Sequence, residues 1–469
     1  MPQAAHRTFR LHEWLLGSFV LVAVAACASV PNADQAIKQA EPGETPHLVS
    51  ARGPLTDAQS KAVLDRLQTE ARPSDVLARH LAIEEAIAET PLVVGNKTTL
   101  LRDGKQAFHA IFDAIRRARR HVHLEYYEVE DVDDDGELLS DLLVKKRREG
   151  VQIALIYDSF GSASTPSSFF DKLRTAGVRL VSFNPLNPLE ARGGYSPNDR
   201  DHRKILIADG SVAIVGGVNL SKDYESAPRI KSERPGNPPP QYWRDTDMRI
   251  EGPVVAQLQR LFLDTWKQQK GPALEDADFF PTVPSKGSEV VRIIGSGPDD
   301  KVPRYYATLL SAVRNAERTI WIATAYFVPT SEEVEDLEHA ARRGVDVRLL
   351  LPGKSDSGLA LAVGRSHYSD LLRAGVKIYE AQDAILHSKT AVIDEVWSVV
   401  GSSNFDHRSV LFNDEVDAVV LGRDTASALR DIVQSELQQA VAIDPEAWSH
   451  RAFGERLDEQ FAQFWQNLL

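Results

Sequence analysis

The sequence predicts an α/β protein built from two similar halves that share one site. Helix-then-strand segments recur 194–198 residues apart, and two of the three pairs carry glycine at the corresponding place. Two short motifs also repeat the same residue types at the same spacing. With 469 residues, 43% hydrophobic and 26% charged, the chain can bury a sizeable core and is neither fibrous nor disordered end to end. Lys and Arg number 54 against 67 Asp and Glu, a formal charge of −13. That balance argues against a dedicated nucleic-acid coat, which would present a basic face, but leaves room for a small, locally basic site.

At the N-terminus, Arg7 and Arg10 precede an uncharged run from Trp14 to Ala26, which ends at Cys27. The run has the length of a signal-peptide hydrophobic region and is short for a membrane-spanning helix. Cys27 is the one cysteine, so no intramolecular disulfide can form. The sequence Val24-Ala25-Ala26-Cys27 resembles the lipobox of bacterial lipoproteins. The expectation is a leader and lipobox over 1–27, a lipid on Cys27, and a membrane-associated bacterial lipoprotein facing the periplasm. The other reading is a short buried helix whose cysteine acts as a small hydrophobe. Residues 28–91 read as a polar linker and helical preamble, closed by Pro91.

Beyond it the chain repeats. AIRRARRHVHLEYYEV from residue 114 and AVRNAERTIWIATAYFV from residue 312 both read as helix then strand, 198 residues apart. REGVQIALIYD (148–158) matches RRGVDVRLLLP (342–352), each a helix end, a glycine cap and a buried strand. LRTAGVRLVSF (173–183) matches LLRAGVKIYEA (371–381) with Gly177 and Gly375 in register. Two helix–strand alternations per half imply two fused α/β domains. We place them at 92–271 and 286–469, with a Pro- and Gly-rich seam around Gly271–Ser288. The Pro-rich stretch 228–241 is expected as an exposed loop with polyproline character.

The repeat is sharpest at His202-x-Lys204-x4-Asp209, leading to Gly216-Gly217-x-Asn219, and at His387-x-Lys389-x4-Asp394, leading to Gly401-Ser402-x-Asn404. The offset is 185 for each His, Lys, Asp and Asn. His and Lys two apart on a strand point to one face, and a Gly-rich turn can return the Asn amide to the same place. Two such sets around one point suit a tetrahedral anion such as phosphate. Two histidines suit a two-step displacement, one attacking phosphorus while the other protonates the leaving oxygen and later deprotonates the incoming nucleophile. The lysines supply the charge stabilisation, so neither metal nor other cofactor is expected.

This motif pair, with YWRDTDMRIEGPVVAQL, AYFVP and LHSKTAVIDEVWSVVGSSNFDHRSVLFNDE around it, resembles the phospholipase D superfamily and its bacterial cardiolipin synthase branch. The likeness covers most of 92–440. It implies two mixed sheets flanked by helices, a pseudo-twofold, and one active site at the interface. His202 and His387 would be nucleophile and acid/base in either order. Lys204, Lys389, Asn219 and Asn404 would bind phosphate, with Ser402 beside them, a hydroxyl that Gly217 lacks in the first half. Asp245 and Glu415 would orient the opposite or adjacent His, and Asp209 and Asp394 would complete the motif as ties between strand and loop. The activity implied is phosphatidyl transfer giving cardiolipin from phosphatidylglycerol and a second phospholipid at a membrane surface. The alternatives are hydrolysis to phosphatidic acid, another phosphodiesterase such as a nuclease, or a non-enzymatic scaffold. The branch's long members carry two N-terminal membrane spans, where this chain has the lipobox.

Other signals are read as structural. Asp131-x-Asp133-x-Asp135-Gly136 opens like a calcium loop, but Leu142 stands where a bidentate Glu is required. His121 and His123 read as core or edge residues, and Arg116, Arg117, Arg119 and Arg120 as a solvated helix end. Trp243, Trp321 and Trp397 read as core before substrate wall. Residues 425–442 and 452–469 read as amphipathic helices.

Overall fold

The computed structural model describes residues 33–39, 46–71, 76–187, 189, 195–225, 242–275, 278–451, 459 and 461–463. The leader with Cys27, the Pro-rich stretch 228–241 and almost all of 452–469 lie outside them.

The first half contains β1 (Leu92–Leu101), β2 (His121–Tyr126), β3 (Gln152–Asp158), β4 (Arg179–Phe183), β5 (Lys204–Ala208), β6 (Val212–Gly216) and β7 (Asp247–Glu251). The second contains β8 (Glu289–Ser296), β9 (Thr319–Thr324), β10 (Asp346–Pro352), β11 (Lys377–Ala381), β12 (Lys389–Ile393), β13 (Trp397–Gly401) and β14 (Asn413–Leu421). Hydrogen bonding orders the first set β4-β3-β2-β5-β6-β7-β1, with the two leading pairs parallel and the rest antiparallel. The second follows the same plan, β11-β10-β9-β12-β13-β14-β8. The parallel strands are near-continuous apolar runs because helices cover them. The two sheets join at β1, whose Val93–Asn96 pair with β8 while Lys97–Leu101 pair with β7.

Gly104–Arg117 shows how the sequence makes its helices. Asp103 caps it by accepting the Gln106 N–H at 2.8 Å, and Phe108, Ile111, Phe112 and Ile115 form the buried stripe. With Leu139–Arg148 and Ser167–Thr175 this helix covers the outer face of the first sheet. In the second half Arg304–Asn315, Ser331–Arg342 and Tyr368–Ala374 do the same. Between the halves, Ile205, Ile207, Val215 and Met248 share one core with Val392, Val400, Val416 and Ala418. The faces that bring the motifs together are therefore apolar beneath and polar at one end.

The preamble packs on the second half, although the first follows it in sequence. Leu77 and Leu81 enter the second-half core. Glu84, fully buried, meets Arg292 at 3.2 Å, His80 at 2.8 Å and the Trp397 indole N–H at 3.1 Å. Burial alone would raise the Glu84 carboxyl; Arg292 and His80 outweigh it and hold the group below its ordinary value. No helix among the described residues is long and apolar enough to cross a membrane.

Candidate active site

Two short parallel bridges between the halves build the site. Arg200–Asp201 pair with Asn413–Asp414, and Trp243–Arg244 pair with Ile385–Leu386. The residue after each bridge strand is a motif histidine or its carboxylate partner. The His202 N–H donates to Asp414 O at 2.9 Å, and the His387 N–H to Arg244 O at 2.7 Å. Each histidine is thereby set against the carboxylate of the other half. His202 Nδ1 lies 3.0 Å from both Glu415 oxygens, and His387 Nδ1 lies 2.7 Å from Asp245 Oδ2. Holding Nδ1 fixes the ring and leaves Nε2 free of the carboxylate.

Lys204 and Lys389 open β5 and β12 directly beside their histidines. Lys204 Nζ donates to His202 O at 2.5 Å, and Lys389 Nζ donates to His387 O. Lys389 Nζ is also 2.7 Å from His387 Nδ1 and 3.5 Å from Asp245. Tyr224 OH adds a contact of 3.0 Å to His387 Nδ1.

Burial and crowded positive charge set the protonation states. Desolvation, assisted by Lys389, pushes the Lys204 ammonium down to about 7. It lowers Lys389 as well. His202 is pushed down to about 4 by burial and by the two lysines, against the pull of Glu415. His387 falls well below its ordinary value through burial, Lys389, Lys204 and His202. Asp245 rises to about 6 because it is buried. Glu415 stays below its ordinary value, because His202, Lys204 and the Ser402 hydroxyl outweigh its burial. An anion placed between them would relieve the repulsion among the cations.

The histidines open on a cavity of about 320 Å³. Asn219 and Asn404 line it, as do the aromatic rings of Tyr127, Trp243 and Tyr326. Trp243 packs 4.5 Å from the His387 ring, so it is a wall of the site; the core-first reading of this residue is corrected. Trp321 and Trp397 are core. Ser402 is likewise corrected. Its fully buried hydroxyl donates to Glu415 Oε2 at 2.5 Å and accepts the Val416 N–H at 3.0 Å, so it holds the carboxylate that holds His202 and is not on the cavity wall. In the first half Gly217 leaves the equivalent space to Asp245 itself: a Cβ there would lie 2.3 Å from Asp245 Oδ1.

Asp209 and Asp394 lie outside the cavity lining. Asp209 accepts the backbone N–H groups of Arg119, Arg120 and His121 at 2.8–3.0 Å. Asp394 accepts those of Glu317, Arg318 and Thr319 at the same distances. Both stand at positive φ, 52° and 51°, a backbone state that Asp tolerates. They lock each motif hairpin to the start of β2 or β9.

Several residues escaped the sequence reading. Tyr127, Glu128, Arg200, Tyr326, Asp406 and Arg408 line the cavity. Arg200 and Asp406 each lie two residues from a motif residue, a same-face spacing that was the available signal; Arg408 had none. Arg116 is a partner of Asp134 at 3.0 Å and Glu137 at 2.8 Å, so it is paired where a solvated end was expected. His121 and His123 are buried, bridged by Gln259.

Comparison with known proteins gives a consistent result. Residues 111–228 and 309–437 match the family model described as cardiolipin synthase, PLD-like domain. The chain is 35% identical over 393 residues to a cardiolipin synthase of Geobacillus thermodenitrificans, covering 83% of this chain and 75% of that protein. It is 33% identical over 376 residues to a probable cardiolipin synthase of Bacillus subtilis, covering 79% and 72%. In fold it is similar to the crystal structure of a phosphatidylserine synthase from Haemophilus influenzae, with a TM-score of 0.58 and 13% identity over 82% of this chain and 97% of that one.

Proposed function

The chain belongs to the cardiolipin synthase family of phospholipase D-like proteins, and we propose that it is a phosphatidyltransferase making cardiolipin from phosphatidylglycerol and a second phospholipid. The carrying observation is the crossed pairing. Each histidine is held at Nδ1 by a carboxylate of the opposite half, with a lysine beside it.

Nε2 of one histidine attacks the phosphorus of a bound phospholipid and forms a P–N bond as the P–O bond to the headgroup breaks. The negative charge of the bound phosphodiester favours protonation of the other histidine, which gives that proton from Nε2 to the leaving oxygen. The emptied headgroup departs, and a hydroxyl of phosphatidylglycerol enters. That hydroxyl loses its proton to the same histidine and attacks phosphorus, breaking the P–N bond and restoring both imidazoles. Either histidine can take either part in this scheme. Lys204, Lys389, Asn219 and Asn404 hold the non-bridging oxygens, where negative charge grows in each transition state. Transfer prevails over hydrolysis when water is excluded at the second step, and the rings of Tyr127, Trp243 and Tyr326 narrow the cavity around the reacting atoms.

Lipid product analysis tests the reading. Purified protein in vesicles of phosphatidylglycerol and phosphatidylethanolamine should yield cardiolipin, and His387→Ala should yield none. Omitting each lipid in turn names the headgroup that leaves. Phosphatidic acid in place of cardiolipin would make the protein a hydrolase, and neither product would end the phospholipid reading.

We further propose that the chain is exported and tethered to a membrane, facing the periplasm, through lipid on Cys27. The leader pattern supports this. Cys27→Ser should release the protein or leave it unprocessed, and unchanged attachment would refute the tether.

A further inference from the structure

The cavity of about 320 Å³ lies at the small end of the range that holds a drug-sized ligand. It has room for a phosphate and a headgroup but not for two acyl chains. If a diacyl phospholipid reacts there, as proposed above, its chains stay outside the mouth. The surface around the mouth must then meet hydrocarbon.

Four of the large apolar side chains exposed on the described surface lie on segments tied to the cavity wall: Phe160 (60% exposed), Leu186 (53%), Leu189 (95%) and Leu359 (39%). Phe160 lies in the loop that leaves β3, and Leu186 and Leu189 in the loop that leaves β4. Leu359, in the helix Gly358–Ser366, stands between Ser357 and Ala360, both of which line the cavity. The first-half loops are tied to the catalytic frame. Arg200, itself a cavity residue, donates to Ser159 Oγ at 3.1 Å and to Asn184 O at 3.3 Å. Asp158 accepts the Phe160 N–H at 2.8 Å through one oxygen and the Asp201 N–H at 3.0 Å through the other. Asp201 directly precedes His202.

Singly exposed apolar residues are ordinary on any protein surface. Here the argument is carried by the ties of their segments to Arg200 and Asp201 and to the lining residues Ser357 and Ala360, because a diacyl substrate leaves this opening tails first. We propose that these loop tips are a docking rim that enters the interfacial layer of a phospholipid bilayer and sets the cavity over the headgroups. The lipid then reaches the histidine pair with its chains still in the membrane. The proposal rests on the phospholipid reading of the site, and its test separates the two.

In the full chain, Phe160→Trp and Leu189→Trp are each compared with the parent in vesicles whose phosphatidylglycerol carries brominated acyl chains. Val441→Trp, exposed at the outer edge of the second sheet, is the reference for general tethering. The added emission should be quenched at 160 and 189 and not at 441. A triple variant, Phe160→Ser with Leu186→Ser and Leu189→Ser, should lose turnover on vesicles by about tenfold or more, since interfacial binding scales with buried apolar area. It should keep parental turnover on short-chain phosphatidylglycerol dissolved as monomers. Absent quenching at 160 and 189, or equal turnover losses on both substrates, would overturn the rim. Quenching needs no turnover, so it decides the rim by itself. A parent inactive on both substrates would instead overturn the phospholipid reading.

Discussion

Installing the hydroxyl that the first half lacks should damage the site. The second half has Ser402 behind Glu415, and symmetry suggests that Gly217→Ser would improve its counterpart. The geometry argues the reverse. A Cβ on Gly217 would lie 2.3 Å from Asp245 Oδ1 and 2.4 Å from Oδ2, where real Cβ atoms stay beyond 3.0 Å. The carboxylate must therefore withdraw by about 0.7 Å. It has little freedom to do so, because Oδ1 accepts the Thr246 N–H at 2.8 Å and Oδ2 holds His387 at 2.7 Å. Displacing a catalytic group by about 1 Å can cost about 10²-fold, close to 2.7 kcal/mol of transition-state stabilisation. We expect Gly217→Ser to lower kcat about 10²-fold with a smaller effect on KM, since none of the lysines and asparagines proposed to bind phosphate is replaced. The assay is initial-rate cardiolipin formation over a range of vesicle concentrations, with thermal unfolding as the check on the fold. A folded Gly217→Ser protein with parental kcat would refute the argument that Asp245 positions His387. As a complement, Ser402→Gly frees Glu415 and should also lower kcat.

If both histidines act in one cycle, as proposed, His202→Ala and His387→Ala should each reduce turnover by at least about 10³-fold; retained activity in either single variant would dismantle the shared site. The rate should also depend on pH in a defined direction. If Lys204 binds phosphate as the ammonium and His202 is the attacking histidine, the first must keep its proton, with its pKa pushed down to about 7, and the second must lose it, with its pKa pushed down to about 4. On that assignment kcat/KM in the free protein should rise as pH increases through about 4 and fall as it passes about 7, and a profile flat to pH 9 would contradict the burial argument. Finally, Glu84→Ala leaves the Arg292 guanidinium buried and unpaired. It should destabilise the preamble's attachment to the second half by about 3–5 kcal/mol, read as a lower Tm. An unchanged Tm would show that the apolar contacts suffice.

How much of this was legible beforehand depends on the range of each signal. The helices and parallel strands showed in the sequence because apolar spacing and glycine caps act over a few residues; Gly104–Arg117 and β3 are examples. The two sets of His, Lys and Asn showed because the duplication repeats them at one offset. Trp243 and Ser402 were misjudged for a common reason. An apolar context around Trp243 is the same whether the ring faces core or cavity. A Ser in a Gly-rich turn has the same sequence signature whether its hydroxyl meets a ligand or a neighbouring carboxylate.

The sequence alone determined the duplicated α/β plan, the residue types of the phosphate-binding chemistry, and the candidacy of Asp245 and Glu415 as orienting groups. Tertiary structure decided the crossing: Asp245 holds the second-half histidine and Glu415 the first-half one, through two-residue bridges that no periodicity announces. It also decided that the preamble clasps the second half through Glu84 and Arg292, and that the loop carrying Phe160 is tied through Asp158 to the strand before His202. The physical reason is that propensity, capping and alternation are local properties of the chain. A contact between distant residues depends on how whole sheets pack, and a single sequence carries no short-range trace of that.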